Sequence, residues 1–370
     1  MQMTIPLMNY SRMMAPYRQT LLDEMSRAAH TGQFILKDRV SEFEGKICER
    51  SGAAHAVAVA GATGGSQIAM KLAGVARDTE AIFPAFGFCS PVNAAIHLGA
   101  KVVFSDVTTG GGVMDKLDLE KHITAKTRAI VPMYLGRSAP DMERIAEIAK
   151  RYGVALIEDS AVALGAVVSG RPAGRWGDAA VYSFFPSKPA GGLTDAGILV
   201  TDDAVTAKAA RLRNHGQVEG KRFVYEEIGW NSRMDEITAG VLLKVLENFD
   251  RSLARRAAIA RIYDNAFVGV RGCVKPLIGK LEDQCLHSYV IRACEREAAS
   301  GYLASCGIEA QPFYSTPLHL HPGFAFLNYK PGDFPVAERL AKECLALPFH
   351  NSLSDDEVAY VAEKVENFYG

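Results

Sequence analysis

The chain has 370 residues, of which 48% are hydrophobic and 22% are charged, and its formal net charge is −1. This composition is typical of a globular protein with a large core, and the charge balance offers no basic surface for nucleic acid. No apolar run reaches the length of a membrane span, and the first residues do not resemble a secretion signal. We therefore expect a cytoplasmic protein that binds neither nucleic acid nor a membrane.

The cysteines and histidines give no metal-binding pattern. The seven cysteines are scattered, and no pair has C-x-x-C spacing. This arrangement predicts reduced thiols. His319 and His321 are two residues apart, but no cysteine or acidic third ligand lies near them in the sequence. We therefore predict that the protein has no metal site.

Apolar periodicity divides the chain into two regions. Two helical patterns come first, at 17–29 and 39–48. From 55 onwards, short apolar runs alternate with helical patterns, and the predicted strands are 55–60, 80–83, 101–106, 129–132, 154–157, 179–185 and 198–200. The alternation predicts an α/β fold whose mainly parallel central sheet has helices on both faces.

The second region is a small α+β domain that follows two long helical patterns at 234–249 and 250–267. Its predicted strands and helices are the strands 287–293 and 309–313 and the helices 295–305, 334–345 and 354–369. A further helix is predicted at 201–214. We predict one domain over 1–250, with the N-terminal segment and the large sheet, and a second over 251–370.

Three polar groups directly follow predicted strands. The turn Gly61–Ser66 follows the first strand, Asp159 the fifth and Lys188 the sixth. In such sheets, ligands bind beyond the carboxyl ends of the strands, so these groups are expected to meet. Small residues that open a helix can bind a phosphate through backbone N–H groups, although such turns also simply cap helices.

Lys188 is the residue on which the functional prediction depends. It lies in the stretch AAVYSFFPSKPAGGLTDAGILV, between two apolar strand patterns. A lysine amine reacts with carbonyl groups only when it is unprotonated, and its ordinary pKa is about 10.4. Enclosure in an apolar loop would lower that pKa. Lys188 together with Asp159 predicts a pyridoxal 5′-phosphate (PLP) site, with a Schiff-base lysine and an aspartate that pairs with the ring nitrogen.

The segment SFFPSK, followed by glycines and DAG, resembles the lysine loop of the DegT/StrS family. These are fold-type-I PLP-dependent enzymes, mostly sugar aminotransferases. The resemblance runs from about Gly32 to the C-terminus and includes PAFGF at 84–88, EDSA at 158–161, NHG at 214–216 and GWNSR at 229–233. It implies the family fold, with a large PLP-binding α/β domain and a small C-terminal α+β domain.

The resemblance also implies roles for individual residues. The cofactor-binding residues would be Ala62, Thr63, Phe88, Asp159, Ala161, Ser183, Lys188 and Asn231. Phe88 would stack on the ring, and Asn231 would reach the phosphate of the partner subunit, which implies a homodimer with shared active sites. The substrate-contacting residues would be Phe34, His215, Tyr314 and His319.

Two positions depart from the family pattern. Val162 occupies a position where the family usually has Gln or His, and valine cannot form a hydrogen bond with the ring oxygen. Pro189 follows the lysine where Asn is usual, and proline lacks a backbone N–H group. Neither change removes Lys188, but both leave open a specialised reaction.

We predict a PLP-dependent aminotransferase of amino-sugar or secondary-metabolite biosynthesis. It would move an amino group from an amino acid, by family analogy glutamate, to a keto sugar, nucleotide-linked by the same analogy, or to a keto cyclitol. Lys188 and Asp159 would be the catalytic residues. The alternatives are another PLP-dependent reaction, such as dehydration or decarboxylation, and a regulatory protein without turnover. The family's dehydratases have His in place of the lysine, which argues against the first alternative.

Overall fold

The computed structural model describes residues 4–202, 205–270, 274–280 and 283–370. Cys273 lies outside these ranges, as do two residues of the helix predicted at 201–214. The α-helices of the described residues are α1 (Tyr10–Met14), α2 (Arg18–Thr31), α3 (Asp38–Ser51), α4 (Ala62–Leu72), α5 (Ser90–His97), α6 (Lys116–Leu119), α7 (Met142–Tyr152), α8 (Thr206–Arg213), α9 (Glu236–Glu247), α10 (Phe249–Phe267), α11 (Arg296–Ser305), α12 (Pro335–Glu343) and α13 (Asp355–Tyr369).

The strands of the described residues fall into three sheets. They are β1 (His55–Val59), β2 (Glu80–Pro84), β3 (Lys101–Ser105), β4 (Thr127–Ile130), β5 (Ala155–Asp159), β6 (Val167–Val168), β7 (Arg171–Pro172), β8 (Ala179–Ser183), β9 (Gly197–Thr201), β10 (Val274–Pro276), β11 (Tyr289–Ala293), β12 (Gln311–Pro312) and β13 (Cys344–Leu347). Strands β6 and β7 form a two-stranded ribbon. Short 3₁₀ helices lie at Ala15–Tyr17, Glu120–His122, Leu318–Leu320 and Pro322–Leu327.

The large sheet has seven strands in the order β1-β9-β8-β5-β4-β2-β3. Strand β9 runs antiparallel to both of its neighbours, and the other pairs are parallel. The reversal follows from the connection between β8 and β9, which is a loop without a crossover helix. This loop carries Lys188. The mainly parallel sheet predicted from the sequence is therefore confirmed, and Lys188 lies between two strands as expected.

Helices cover both faces of this sheet because alternate strand residues point to opposite sides. Val57 and Val59 of β1 pack in a cluster with helices α4 and α5, whereas Ala58 packs on the other side with α3 and α9. In β2, Phe83 joins the first cluster and Ile82 joins α7 on the opposite face. The two layers hold the carboxyl ends of the strands rigidly at one edge.

The second sheet has four antiparallel strands in the order β10-β11-β13-β12, and helices α10, α11 and α13 pack on it. Ile5, near the start of the chain, belongs to this core and pairs with Ile308. Two sequence predictions are wrong here. Residues 344–345 begin strand β13 and do not end a helix, because the apolar run Cys344–Leu347 is fully buried between two strands. The strand predicted at 309–313 shortens to Gln311–Pro312.

The helix predicted at 201–214 also needs correction, because Thr201 is the last residue of β9 and α8 begins only at Thr206. The core of the large sheet continues into the second region. Leu277, Val290 and Phe334 pack in the same cluster as Phe83. This contact brings the second sheet to the edge at which the predicted site residues lie.

Candidate active site

A cavity of about 890 Å³ opens at the carboxyl ends of β1, β5 and β8. Its volume lies within the range of small-molecule binding sites. Nine of the predicted site residues line it, namely Ala62, Thr63, Phe88, Asp159, Ala161, Ser183, Lys188, Asn231 and Tyr314. Among the described lining residues, Lys188 is the single basic one apart from a histidine, and most of the other polar groups are hydroxyls and amides.

The beginning of α4 forms an anion cradle in this cavity. Gly61 is the N-cap residue in an extended conformation, and the first helical hydrogen bond runs from the N–H of Gly65 to its carbonyl at 3.2 Å. The N–H groups of the three preceding residues therefore point out of the helix end, where the helix dipole favours a negative charge. Thr63 adds a hydroxyl, which lies 2.7 Å from the hydroxyl of Ser90 at the start of α5.

Gly197 allows this cradle to lie against the sheet. A Cβ atom at this position would lie 2.5 Å from the backbone nitrogen of Ala62 and 2.6 Å from the carbonyl carbon of Gly61. Real Cβ atoms do not approach a backbone so closely, so only glycine fits at the start of β9. The glycine of the DAG motif thus positions the cradle relative to the lysine loop.

Lys188 lies in a tight turn that fixes its backbone on both sides. Its N–H donates to the carbonyl of Phe185 at 2.8 Å, and its own carbonyl accepts from Gly191 at 2.9 Å. Among the described residues, no group forms a hydrogen bond with its amine. Burial lowers the pKa of Lys188, and the nearby charge of Asp159 opposes that change. The amine therefore loses its proton more readily than an exposed lysine.

Asp159, the last residue of β5, directs its carboxylate into the same cavity. Its backbone is held by the carbonyl of Pro132 at 3.0 Å and by the N–H of Tyr134 at 3.1 Å. One carboxylate oxygen accepts the N–H of Ala161 at 3.1 Å, and no described residue bonds to the other. Burial raises the pKa of Asp159, while the N–H of Ala161 and the charge of Lys188 lower it. The free oxygen is placed to accept from a cationic N–H group.

Glu158 precedes Asp159 and points to the other face of the sheet. The sequence analysis predicted no role for Glu158. Its carboxylate is buried and accepts four hydrogen bonds, from the hydroxyl of Tyr134 at 2.7 Å and from the N–H groups of Gly174, Trp176 and Gly177 at 2.8, 2.6 and 2.9 Å. Two adjacent acids at a strand end must face opposite sides. Glu158 therefore anchors the loop between β7 and β8, and Asp159 faces the cavity.

Aromatic side chains form another part of the wall. Phe88 is 55% exposed and borders the cavity with Tyr314, whose ring centroid lies 6.5 Å away. Tyr314 packs edge-on against Phe86 at 5.8 Å, and burial raises the pKa of its hydroxyl. Phe88 offers an uncovered aromatic face to a planar ligand.

Val162 lines the cavity as a purely apolar group. It packs in a cluster with Tyr134, Met142 and Cys285 and offers no hydrogen bond. His287 also lines the cavity, and its place at the start of a predicted strand was its only signal in the sequence. Ser90 was likewise missed, although the proline that follows it is a typical signal of a helix start.

Three predicted substrate residues do not reach this cavity. The side chain of His319 is fully buried, with its Nε2 3.2 Å from a carboxylate oxygen of Glu338 and its ring 4.8 Å from that of Phe334. We therefore correct the prediction for His319, which serves the packing of the second region. Phe34 and His215 are exposed elsewhere on the chain. Their role at the substrate stays a prediction.

Asn231 lines the cavity of its own chain, and its side-chain oxygen accepts from Arg233 at 3.0 Å. Its predicted contact with a partner subunit stays a prediction. Within the ranges that the structure describes, no three His, Cys, Asp or Glu side chains group together in a way that could hold a metal ion. Nor does any helix in those ranges combine the length and apolarity needed to cross a membrane.

Comparison with known proteins places this geometry in a family. The model of the DegT/DnrJ/EryC1/StrS aminotransferase family matches residues 17–366. A pleiotropic regulatory protein of Geobacillus stearothermophilus is 35% identical over 372 residues, with 99% of both chains covered. A dTDP-3-amino-3,4,6-trideoxy-alpha-D-glucose transaminase of Micromonospora megalomicea subsp. nigra is 35% identical over 356 residues, with 94% of both covered.

Solved structures agree with the sequence comparison. The crystal structure of DesV of S. venezuelae, in complex with a ketimine intermediate, matches with a TM-score of 0.95 and 28% identity. The match covers 99% of this chain and 98% of that one.

Proposed function

Because the chain belongs to the DegT/DnrJ/EryC1/StrS aminotransferase family, we propose that it is a PLP-dependent aminotransferase acting on a keto sugar or keto cyclitol. The family membership confirms the resemblance predicted from the sequence motifs. The observation that carries the proposal is the unpartnered amine of Lys188, which lies in one cavity with the carboxylate of Asp159 and the α4 cradle.

The residues of this cavity fit PLP group by group. The first N–H groups of α4, with the hydroxyls of Thr63 and Ser183, suit its phosphate. The free carboxylate oxygen of Asp159 suits the protonated nitrogen of its ring. The uncovered face of Phe88 suits the ring plane. Lys188 supplies the amine for covalent attachment.

When bound, PLP supplies an aldehyde that condenses with amines and a ring that withdraws electrons from the attached carbon. The residues of this chain control the protonation of the ring and move the proton of the donor. Asp159 keeps a proton on the ring nitrogen, because an ionised carboxylate beside it favours the charged form. In that chemistry, the Nζ amine of Lys188 would take the proton from the donor's carbon and would deliver it to the carbon that the aldehyde of PLP supplies. Its lowered pKa leaves the amine free to do so.

The substrate class follows from the cavity lining and from the relatives. A site rich in neutral hydroxyl and amide groups suits a polyhydroxylated acceptor better than a second carboxylate. The relative from Micromonospora is named as a transaminase for a dTDP-linked amino sugar. We propose a nucleotide-linked keto sugar as the acceptor, with a keto cyclitol as the related possibility, and an amino acid, glutamate by analogy, as the donor.

We also propose a homodimer with shared active sites. Large apolar side chains are exposed on α2, on the link before α3 and on the segment before Trp230, and they are Leu22, Met25, Phe34, Ile35, Phe223, Tyr225 and Ile228. One backbone bridge joins Ile35 of the link to Asp235, and another joins Asn214 to Asn231. Exposed apolar side chains of this kind are typical of a subunit interface. Phe34, His215 and Asn231 would then meet the partner's cavity.

The division into domains of 1–250 and 251–370 and a cytoplasmic location also belong to the proposal. Helix α10, which begins at Phe249, connects the two sheets and supports a boundary near 250. The contact of Ile5 with Ile308 ties the first residues to the second domain.

The test is a spectrum of the purified protein with PLP, recorded before and after L-glutamate is added. A visible band that is lost on addition, with formation of the pyridoxamine form, supports transamination. A band that no amino donor changes would favour dehydration or decarboxylation. No band at all would favour a regulatory role, as the name of the Geobacillus relative suggests for that protein.

A further inference from the structure

Arg256 of α10 is the largest fully buried side chain among the described residues, and the proposed chemistry does not use it. Its exposed fraction is 0%, and no carboxylate of the described residues pairs with its guanidinium group. Burial lowers the pKa of Arg256 to about 10, so the group remains charged at neutral pH. An unpaired buried charge is costly, and its retention requires a reason.

All the hydrogen bonds of Arg256 in the described structure are donated to backbone carbonyls by one nitrogen of its guanidinium group. Its NH1 donates to the carbonyls of Leu286, His287 and Phe349 at 3.3, 3.1 and 3.0 Å. Its Nε and NH2 atoms are buried without a partner in the described structure. The guanidinium carbon lies 5.7 Å from the ring centroid of Phe349. The group thus clamps the chain just before β11 to the chain just after β13.

This clamp fixes His287 at the wall of the active-site cavity. The backbone of His287 is held twice, by Arg256 at its carbonyl and by the carbonyl of Gly136, which accepts its N–H at 3.2 Å. His287 lines the same cavity as Lys188. Its Nδ1 atom lies 3.0 Å from the hydroxyl of Ser288, and no described group forms a hydrogen bond with Nε2.

The charges around His287 keep its ring neutral. Burial and the positive charges of Lys188 and Arg256 hold the pKa of His287 well below its ordinary value. The other charged groups on the elements packed around it are Asp159 at the end of β5 and an ion pair between Arg137, the residue after Gly136, and Asp264 of α10, whose atoms lie 2.7 Å apart. A charged imidazole here would add a second cation beside Lys188, whereas a neutral ring leaves the Lys188 amine as the base.

We propose that Arg256 is a positioning residue of the active site, which holds the backbone of His287 so that this residue lies in the cavity with Lys188. Arg256 does not line the cavity and acts through His287. This inference rests on the proposed aminotransferase function, since that function gives Lys188 its task.

The first measurement is the titration of His287 by NMR of the imidazole nitrogens in the PLP-loaded protein, over roughly pH 5 to 9. The signal is assigned by its loss in His287→Phe. In the wild type and in Arg255→Met, we expect His287 to stay neutral over most of this range. Arg255 is the matched control, since it is the next residue on α10 but bonds to Asp355 and to the carbonyl of Leu353. In Arg256→Met, the midpoint should rise by about one pH unit or more.

The second measurement is the half-reaction with L-glutamate, followed by absorbance. Arg256→Met should slow it about tenfold or more, while Arg255→Met stays within about twofold of the wild type. In a His287→Phe background, Arg256→Met should cause no further slowing, because the two residues act as one unit. Should Arg256→Met fail to fold, Arg256→Gln replaces it with the same expected results.

The inference would be overturned if His287 had the same pKa in the Arg256→Met and Arg255→Met proteins. The inference would also be overturned if Arg256→Met slowed the half-reaction as much in the His287→Phe background as in the wild type. That result would mean that Arg256 has a purely structural role. A wild-type protein that does not react with glutamate would count against the proposed function alone, and the titration would still decide the inference.

Discussion

The close approach of β9 to the α4 cradle gives a sharp prediction for Gly197→Ala. The added Cβ atom would lie 2.5 Å from the backbone nitrogen of Ala62. Real Cβ atoms essentially never lie within 3.0 Å of a non-bonded heavy atom, so the start of α4 must move by about 0.5 Å to reach that distance. An ordinary van der Waals contact requires a larger shift. Hydrogen bonds from N–H groups have a useful range of about 2.7–3.2 Å, so a shift of this size removes at least one bond to a phosphate.

The magnitude follows from the value of one such bond. A hydrogen bond to a charged group contributes about 1.5–3 kcal/mol, which corresponds to an increase in Kd of about 10- to 150-fold. The assay is a titration of the apoprotein with PLP, followed by absorbance. Gly301→Ala in α11 is the control, because its Cβ would meet nothing within 4 Å and its backbone needs no left-handed conformation. That variant should bind PLP normally and gain about 0.5–1 kcal/mol in unfolding free energy.

An unchanged Kd for PLP in a folded Gly197→Ala protein would refute the assignment of the cradle. A loss of affinity that Gly301→Ala shares would mean that glycine replacement acts through general stability. Gly197→Ala must therefore weaken PLP binding while Gly301→Ala leaves it unchanged.

Two further predictions concern stability. Glu158→Gln should lower the unfolding free energy, measured in urea, by about 1–3 kcal/mol, because its amide nitrogen would face groups that donate hydrogen bonds to the carboxylate. Glu297→Gln is the exposed control and should change this free energy by less than about 0.5 kcal/mol. The hydrogen bond from His122 holds the pKa of Asp118 well below its ordinary value, so Asp118 stabilises the fold above about pH 4, and that stabilisation is lost as the pH falls further. Asp118→Asn should therefore be less stable than the wild type at pH 7, with a difference that narrows in acid; a difference independent of pH would contradict this.

The sequence predicted the parts of the site that lie directly after strands. Lys188, Asp159 and the start of α4 could be placed together because the carboxyl ends of parallel strands meet at one edge. The motifs around them are short and continuous, so local sequence sufficed. The mainly parallel sheet followed from the same alternation of elements.

The missed residues depend on contacts between distant segments. Arg256 and His287 meet across about thirty residues of sequence, and nothing in the local pattern of α10 distinguishes Arg256 from Arg255. His319 was assigned to the substrate because its loop resembles that of the family, whereas Phe334 and Glu338, which come later in the chain, pack against its ring. The strand Cys344–Leu347 is too short for periodicity to separate it from the helix before it.

The most direct test of the account asks which amine holds the cofactor. Reduction of the PLP-loaded protein with borohydride fixes that bond, and peptide mapping by mass spectrometry then locates it. We predict the pyridoxyl label on Lys188 alone, and no stable label in Lys188→Ala, which should also lose the visible band and turnover. A label on another lysine, or a Lys188→Ala protein that still transaminates normally, would contradict the central claim.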